Sequence, residues 1–443
     1  MKRSPRNDWR ALARVCRDFF DIVSSMTRFS IFVVDNTSTK KVFLASTWLL
    51  RRAIEVHWSC ASLPGWTGIP NLFSNGPAPR TNSFKTMISF LPVCRNLTAL
   101  ALTGIIVTSE HQHAIYSLPH LRKITLRSAR FQKTAVKMPT HNVTQLCFFN
   151  VLSEVGLSHI LLQNSSTLTT LQINEGPAKP FSPRTPRCPR LTTFTHNSSR
   201  RIDREALTFL ERNPTIRVIR ISTRYSIQHV GPNVLPKLTK VTASGELGQF
   251  FLARPELTEF YQHPDDHTTS VSKLWSWLAH AQWSQLQPPR LEQLRVAIFH
   301  ISYDMGALPV ISHVFGSSLC KLHIWVEQDY PSWPPDYSYL LGGWAKLNGP
   351  GAYTPGSHQV TVQFARLRSI RVSFRLNSKI TKFPEATCKG LLRDSILPLC
   401  PVLEEASFMA ISSYKSIERE KPGDGMELRV RKNGRKWDLG LQN

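Results

Sequence analysis

Few residues in this chain have the type and spacing to do covalent or metal chemistry. His263-Pro264-Asp265-Asp266-His267 offers two imidazoles and two carboxylates within five residues, but its proline and acidic turn composition reads as a solvated loop rather than a preorganised metal site. His111 and His113 are two apart and bring no further ligands. No G-x-x-x-x-G-K-[ST], G-x-S-x-G, H-E-x-x-H or G-x-G-x-x-G is present, so neither a phosphate cradle nor a nucleophile elbow has support. The eight cysteines contain no C-x-x-C pair and form neither a zinc pattern nor a small disulfide framework. The reading is a protein that binds rather than catalyses, with no cofactor and no metal. Its chemistry is charge: Lys and Arg number 55 against 30 Asp and Glu, a net +25, which favours acidic partners.

The elements that must position this charge come from a repeated phrase. An aliphatic residue, two variable residues, a second apolar residue, one variable residue and usually a third apolar residue recur twelve times, beginning at Leu97, Leu121, Val143, Leu168, Leu191, Ile216, Leu238, Leu257, Leu291, Leu319, Leu367 and Leu403. Position four is apolar in every phrase, although only 41% of the chain is hydrophobic, so chance does not account for it. Position six fails only at His196 and Gln262. The first steps are 24, 22, 25, 23, 25, 22 and 19 residues, close to the roughly 20 to 29 of leucine-rich repeats. Proline stands two residues before seven phrases, as at Pro119, Pro214 and Pro401, where one repeat's helix stops and the next strand starts. Between phrases the apolar period changes toward 3.6, as at Ala206, Leu207 and Leu210 behind a capping Asp203. The ninth position carries Ile105, Ala129, Val151 and Gly176 instead of asparagine, so the asparagine ladder of regular repeats is missing and the stack is irregular. The expected fold is α/β: a right-handed leucine-rich-repeat-like solenoid with parallel strands on the concave side and helices outside.

Positions three, five and seven of the phrase alternate away from the buried positions. They carry Lys123, Arg127, Arg220, Lys240, Arg295, Lys321, His323 and Arg371, with the aromatics Phe149, Tyr261 and Trp325, against only Glu259 and Glu405. This row is the candidate partner-binding surface, with Tyr261 and Trp325 as anchors. One account is an ordinary solvated surface. A second is an acidic protein partner. A third, less favoured because no nucleic-acid motif accompanies the charge, is a basic repeat scaffold binding a polynucleotide.

Two long intervals hold insertions: 262–289, with Trp275 and Trp283 at helical spacing, and 327–363, rich in proline, glycine and aromatics. Asn433-Gly434 between Leu428–Arg431 and Lys436–Leu439 is a hairpin signal near the C-terminus. No apolar run reaches the about 20 residues needed to span a bilayer, and the basic opening lacks the apolar core of a secretory signal. The expected location is cytoplasmic or nuclear, away from membranes.

Residues 8–26 carry Leu12, Val15, Cys16, Phe19, Ile22, Val23 and Met26 at amphipathic-helix spacing. With Arg14, Arg17, Asp18 and the strand-like Ile31 to Val34, this segment resembles the second half of an F-box; the opening leucine-proline segment and first helix of that motif would precede residue 8. Fungal F-box proteins resemble the whole layout, including a Trp-Leu pair (Trp48-Leu49) before irregular leucine-rich repeats. The resemblance implies a substrate-recognition subunit of a cullin ubiquitin ligase that docks a Skp-type adaptor through Leu12, Val15, Cys16 and Phe19 and holds its substrate on the repeats. The domain expectation is an F-box remnant at 1–35, a connecting helix and N-terminal cap at 36–80, the solenoid at 81–412 and a tail with a hairpin at 413–443.

Overall fold

In a computed structural model of the chain, the residues described are 29–34, 51, 53–59, 88, 91–131, 142–151, 160–161, 163–174, 181, 185–197, 204–222, 234–243, 251–252, 254–262, 290–298, 307–326, 364–375, 388–390, 392–411, 425–433 and 436–442. The chain divides into two compact units, Met1–Leu191 and Thr192–Asn443. Each is an α/β stack of leucine-rich-repeat type.

The first unit contains β1 (Phe29–Val34), β2 (Ala53–Ser59), β3 (Ala99–Thr103), β4 (Ile106–Val107), β5 (Lys123–Arg127), β6 (Arg130–Phe131), β7 (Gln145–Phe149) and β8 (Thr170–Asn174). Its main sheet pairs β1, β2, β3, β5, β7 and β8 in that order, all parallel. Parallel neighbours need a crossover, and one of these carries helix α1 (Ser109–Tyr116). The chain leaves three successive strands through a left-handed corner at phrase position eight: Gly104, Ser128 and Asn150 have φ of 69°, 49° and 53°. The N–H groups of these residues donate to Arg127, Phe149 and Asn174 on the next strand, at 2.9, 2.7 and 2.9 Å. After that corner β4 pairs with β6 in a separate short parallel ladder.

The second unit contains β9 (Thr193–Asn197), β10 (Val218–Ser222), β11 (Lys240–Ala243), β12 (Glu259–Gln262), β13 (Gln293–Ile298), β14 (Lys321–Val326), β15 (Ser369–Arg375), β16 (Glu405–Ile411), β17 (Gly425–Asn433) and β18 (Lys436–Gln442), with helices α2 (Arg204–Arg212) and α3 (Ala307–Phe315). Strands β9 to β16 are parallel neighbours in chain order. β17 then pairs antiparallel with β16, and β18 with β17, so a hairpin continues the sheet. Its closing pair is Asn433 with Lys436, which moves Asn433 out of the two-residue loop and into the ladder.

Burial follows the phrase. All twelve position-one residues are at most 1% exposed. In the second unit, position four runs Phe194, Ile219, Val241, Phe260, Leu294, Leu322, Ile370, Ala406 and Val430 across adjacent strands, all buried. Phe209 of α2 meets Phe194 with ring centroids 5.6 Å apart, which places the helix on the core side of the sheet. The buried stripe of α2 is Ala206, Phe209 and Leu210, with Leu207 half-buried. Even His196 and Gln262, the two polar exceptions at position six, are buried at 3% exposure.

The proline signal has a sharper cause than helix termination. The position-one N–H donates to the carbonyl three residues earlier: Leu121 to Leu118 (3.4 Å), Leu191 to Cys188 (3.0 Å), Ile216 to Asn213, Leu238 to Leu235 and Leu257 to Arg254 (each 3.2 Å), and Leu403 to Cys400 (3.1 Å). Each proline is therefore the second residue of a β-turn, where its fixed φ is already correct; Pro289 lies outside the described residues. The first turn residue is buried; Cys188 and Cys400 are two of these, and Cys94 opens the matching turn before Leu97, whose N–H donates to its carbonyl at 3.0 Å, each cysteine at most 1% exposed. Burial pushes all three thiols up to about 12, so they act as small core residues rather than nucleophiles.

A different ladder replaces the missing asparagines. The carbonyl of position two accepts the N–H groups of both positions two and three of the next strand, as Thr98 does from Arg122 and Lys123, and Arg217 from Thr239 and Lys240. Threonine at position two adds its hydroxyl: Oγ1 of Thr98, Thr144, Thr169, Thr239 and Thr258 donates to the preceding strand at 3.0 to 3.3 Å.

Several expectations need correction or relocation. Among the described residues the parallel ladder starts at Phe29, upstream of residue 81, because Ala53, Val56 and Trp58 form an inward set in register with β3; Ile31 to Val34 thus belong to the sheet. The expected helix at 8–26 with Leu12, Val15, Cys16 and Phe19, the Trp48-Leu49 pair, Asp203, residues 263–267 and the insertion 327–363 lie outside the described residues, as do residues 263–289 of the other insertion. Among the described residues no helix is long and apolar enough to cross a membrane, and no cluster could hold a metal ion. His111 instead takes part in a capping box, with Nδ1 2.6 Å from Thr108 Oγ1.

Two measurements check this architecture. Truncating Leu238→Ala should cost about 2–5 kcal/mol, whereas Thr239→Val, which loses one hydroxyl bond beside it, should cost about 1 kcal/mol in denaturant unfolding. Equal costs would contradict the inward position-one row. Burial lowers the His196 imidazole from 6.5 to about 4, so its neutral form favours the folded state. That stability is fully present above pH 6.5 and is lost as pH falls toward about 4, by about 3 kcal/mol. Relative to His196→Phe, the wild type should lose about 3 kcal/mol of stability over that window; a pH-independent difference would contradict the burial.

Candidate partner-binding face

Because side chains alternate along a strand, the residues opposite the core fall into rows at phrase positions three, five and seven. In the second unit, register places Thr195, Arg220, Thr242, Tyr261, Arg295, His323, Arg371, Ser407 and Arg429 side by side in row five. Row three runs Val218, Lys240, Glu259, Gln293, Lys321, Ser369, Glu405 and Arg431. Eight of the sequence-chosen residues thus belong to this unit, seven of them in these two rows and Trp325 beside them in row seven. Lys123 and Arg127 belong to the first unit.

The acids are already engaged. Glu259 Oε2 lies 2.7 Å from Lys240 Nζ and 3.0 Å from the Tyr261 hydroxyl, which is also 3.1 Å from Gln293 Oε1. Lys240 Nζ sits 4.8 Å from the centre of the Tyr261 ring, so cation, ring and carboxylate form one cluster. Glu405 Oε1 is shared between Arg429 Nε at 3.4 Å and Arg431 Nε at 3.2 Å. These are partly exposed pairs, worth little each in water. Their importance is that both glutamates are committed, Glu259 to Lys240 and Glu405 to Arg429 and Arg431.

His323 lies between Arg295 and Arg371. Burial first, then these two guanidinium charges, hold its imidazole well below 6.5, so it is neutral at pH 7. Its Nε2 is 2.8 Å from Ser373 Oγ. Arg371 is half-buried, and Nη2 donates to Met409 Sδ at 3.2 Å. Arg220 and Lys321 are exposed and Arg295 is half-buried.

Trp325 departs from its expected role. It occupies row seven next to Ser373 and is 2% exposed, while Ser373 is 1% exposed. A large apolar indole gains more from burial than from standing in water, and here it packs rather than offering a surface for a partner.

The first unit presents a different face. Its row five is His57, Ala101, Thr125, Cys147 and Gln172, of which Ala101, Thr125 and Cys147 are at most 9% exposed. Lys123 is half-buried and Arg127 exposed, with the Arg127 guanidinium carbon 4.5 Å from the Phe149 ring centre. Glu55, 3.0 Å from His57 Nε2, adds an acid that the phrase count overlooks. The second unit therefore carries the concentrated positive charge.

Sequence reasoning missed Arg429 and Arg431. The alternation Leu428, Arg429, Val430, Arg431 was the available signal: Leu428 and Val430 are fully buried and the arginines face away from the core. A capping hairpin read as separate from the repeats hides the fact that it extends the same rows.

No family model and no curated protein matches the sequence. Among solved structures the chain resembles TLR13 in its complex with ssRNA13, at 12% identity over 73% of this chain and 53% of that one, TM-score 0.37. It also resembles an internalin (InlF) of Listeria monocytogenes, at 12% identity over 64% and 82% of the two chains, TM-score 0.28. A third resemblance is to a leucine-rich-repeat protein of Leptospira interrogans, at 12% identity over 84% and 80%, TM-score 0.28. The chain spans about half the length of the TLR13 chain. The fold assignment stands on the strand register and burial above, and what those proteins bind is not transferred to this chain.

Proposed function

We propose that this chain is a non-catalytic binding module that holds an acidic protein on the face opposite its core in the second unit. The observation that supports this reading most is the row-five and row-three charge: Arg220, Arg295, Lys321 and Arg371 stand in register while Glu259 and Glu405 are committed to other cations. Tyr261, fixed by Lys240 and Glu259, supplies a preorganised aromatic of the kind that anchors protein interfaces. The alternative is a polynucleotide ligand, in a protein without a ligase link.

The two ligand classes separate by salt and by charge reversal. A duplex complex should weaken log-linearly with salt, by about 0.9 per phosphate neutralised, and a joint Lys123, Arg220, Arg295 and Arg371 to Glu variant should lose it regardless of sequence. The protein reading expects weak retention on random duplex at about 150 mM salt, with partner affinity concentrated at a few anchors such as Tyr261 and Arg371. Submicromolar duplex binding abolished by that reversal would replace this reading with the alternative.

The finer proposal is that the module serves as the substrate-recognition subunit of a cullin ubiquitin ligase. It rests on the F-box resemblance around Leu12, Val15, Cys16 and Phe19, which would present apolar side chains to a Skp-type adaptor. Co-purification of the full chain with such an adaptor should be weak, and a Val15→Asp, Phe19→Asp pair should remove it while leaving acidic-partner binding intact. Adaptor capture unaffected by those substitutions would contradict the assignment.

A further inference from the structure

The helical layer of the first unit holds a group of buried carboxamides that the binding face does not use. Gln112 of α1 is 4% exposed, Gln163 6% and Asn164 0%. Tyr116 links them. Gln112 lies one helical turn before Tyr116 on the same face of α1, and Asn164 Nδ2 donates to the Tyr116 hydroxyl at 3.3 Å. Gln163 immediately precedes Asn164, and both are helical. The Tyr116–Asn164 bond joins the crossover before β5 to the crossover before β8, two places along the sheet.

Four polar atoms of this group are buried without a protein partner among the described residues: Gln112 Oε1, Gln163 Oε1, Gln163 Nε2 and Asn164 Oδ1. Asn164 uses both amide hydrogens, one on Tyr116 and one on the Ile160 carbonyl at 2.8 Å, so its orientation is fixed and Oδ1 remains an acceptor. A buried group left dry forfeits at least as much as a typical hydrogen bond contributes. Four such groups in one layer would offset a large part of the net stability of an ordinary domain, so an occupant that satisfies them is the lower-energy arrangement.

We propose that Gln112, Gln163 and Asn164 bind internal water, and that this water completes the join between α1 and the helix end before β8. The set mixes acceptors with a donor, so its occupant must both donate and accept. The occupant must also be uncharged. Burial, against the pull of Glu110, holds the His111 imidazole next to Gln112 below its ordinary 6.5, and burial pushes the Tyr116 phenol up to about 12. Neither neighbour therefore carries a charge at pH 7 that would balance a buried ion. Water has two donors and two lone pairs, and a buried water makes about three hydrogen bonds to groups of this kind, so about two molecules serve the four atoms.

The test uses the full chain. A high-resolution crystal structure should show ordered solvent within about 3.2 Å of the amide atoms of all three side chains. Gln163→Met keeps the side-chain length and removes both amide atoms. With shared water it leaves the Gln112 and Asn164 oxygens short of donors, so the thermal midpoint should fall by about 2–4 °C. A dry amide would make the same change raise the midpoint, because an unpaired polar group leaves the interior. Gln112→Met and Gln163→Met should also be non-additive, the double variant losing less than the sum, because both act on the same water and no direct hydrogen bond links the two amides. A raised midpoint for Gln163→Met, additive losses, no ordered solvent beside the amides, or density for a larger molecule would each overturn the inference. The crystal structure of the unaltered chain decides the matter even if a substituted chain folds poorly.

Discussion

No single repeat of this protein has a core of its own. One strand phrase contributes three inward residues, at positions one, four and six, and they leave water only when the neighbouring strands bring theirs alongside. Everything else depends on that stacking. The position-two carbonyl, accepting two N–H groups from the next strand, sets the register, and register decides which residues share a row. A slip by one residue would turn Ile219, Val241 and Phe260 outward and Arg220, Thr242 and Tyr261 inward, so the buried rows and the charged rows are two results of one constraint.

Seen this way, the polar departures are informative. His196 and Gln262 keep their inward places because the register around them is set by Phe194, Ile219 and Phe260, not by their own preference. Threonine at position two suits a strand by its β-branching and also ties its hydroxyl to the previous strand, which is why an irregular stack can do without an asparagine ladder. Cysteine at the start of three β-turns fills a small buried space, and its elevated pKa removes it from chemistry.

The repeat phrases were legible because positions one and four are almost always large and aliphatic. β2 was not, since its phrase begins with Ala53 and ends with Trp58, and alanine at position one carries no signal above background. The face was legible where lysine or arginine followed a recognised phrase, as at Lys240 and Arg371. It was not legible at Arg429, which arrives on an antiparallel strand with no leading leucine, or at Trp325, where alternation assigns a face but cannot say what packs over it. His323 counted as a possible cation in the sequence; only its place between two arginines makes it a neutral spacer.

The proposed acidic partner would be held on the row opposite the core in the second unit. Zero-length carbodiimide cross-linking of the full chain to an acidic polypeptide such as polyglutamate, mapped by mass spectrometry, tests it directly, because only lysines in contact with carboxylates couple. Cross-links are expected at Lys321 and Lys240, which lie on that face, and few at Lys237, which lies exposed on a turn between repeats. Cross-links at Lys237 as abundant as those at Lys321 would mean that charge alone, not the face, attracts acidic chains, and would overturn the proposed binding face.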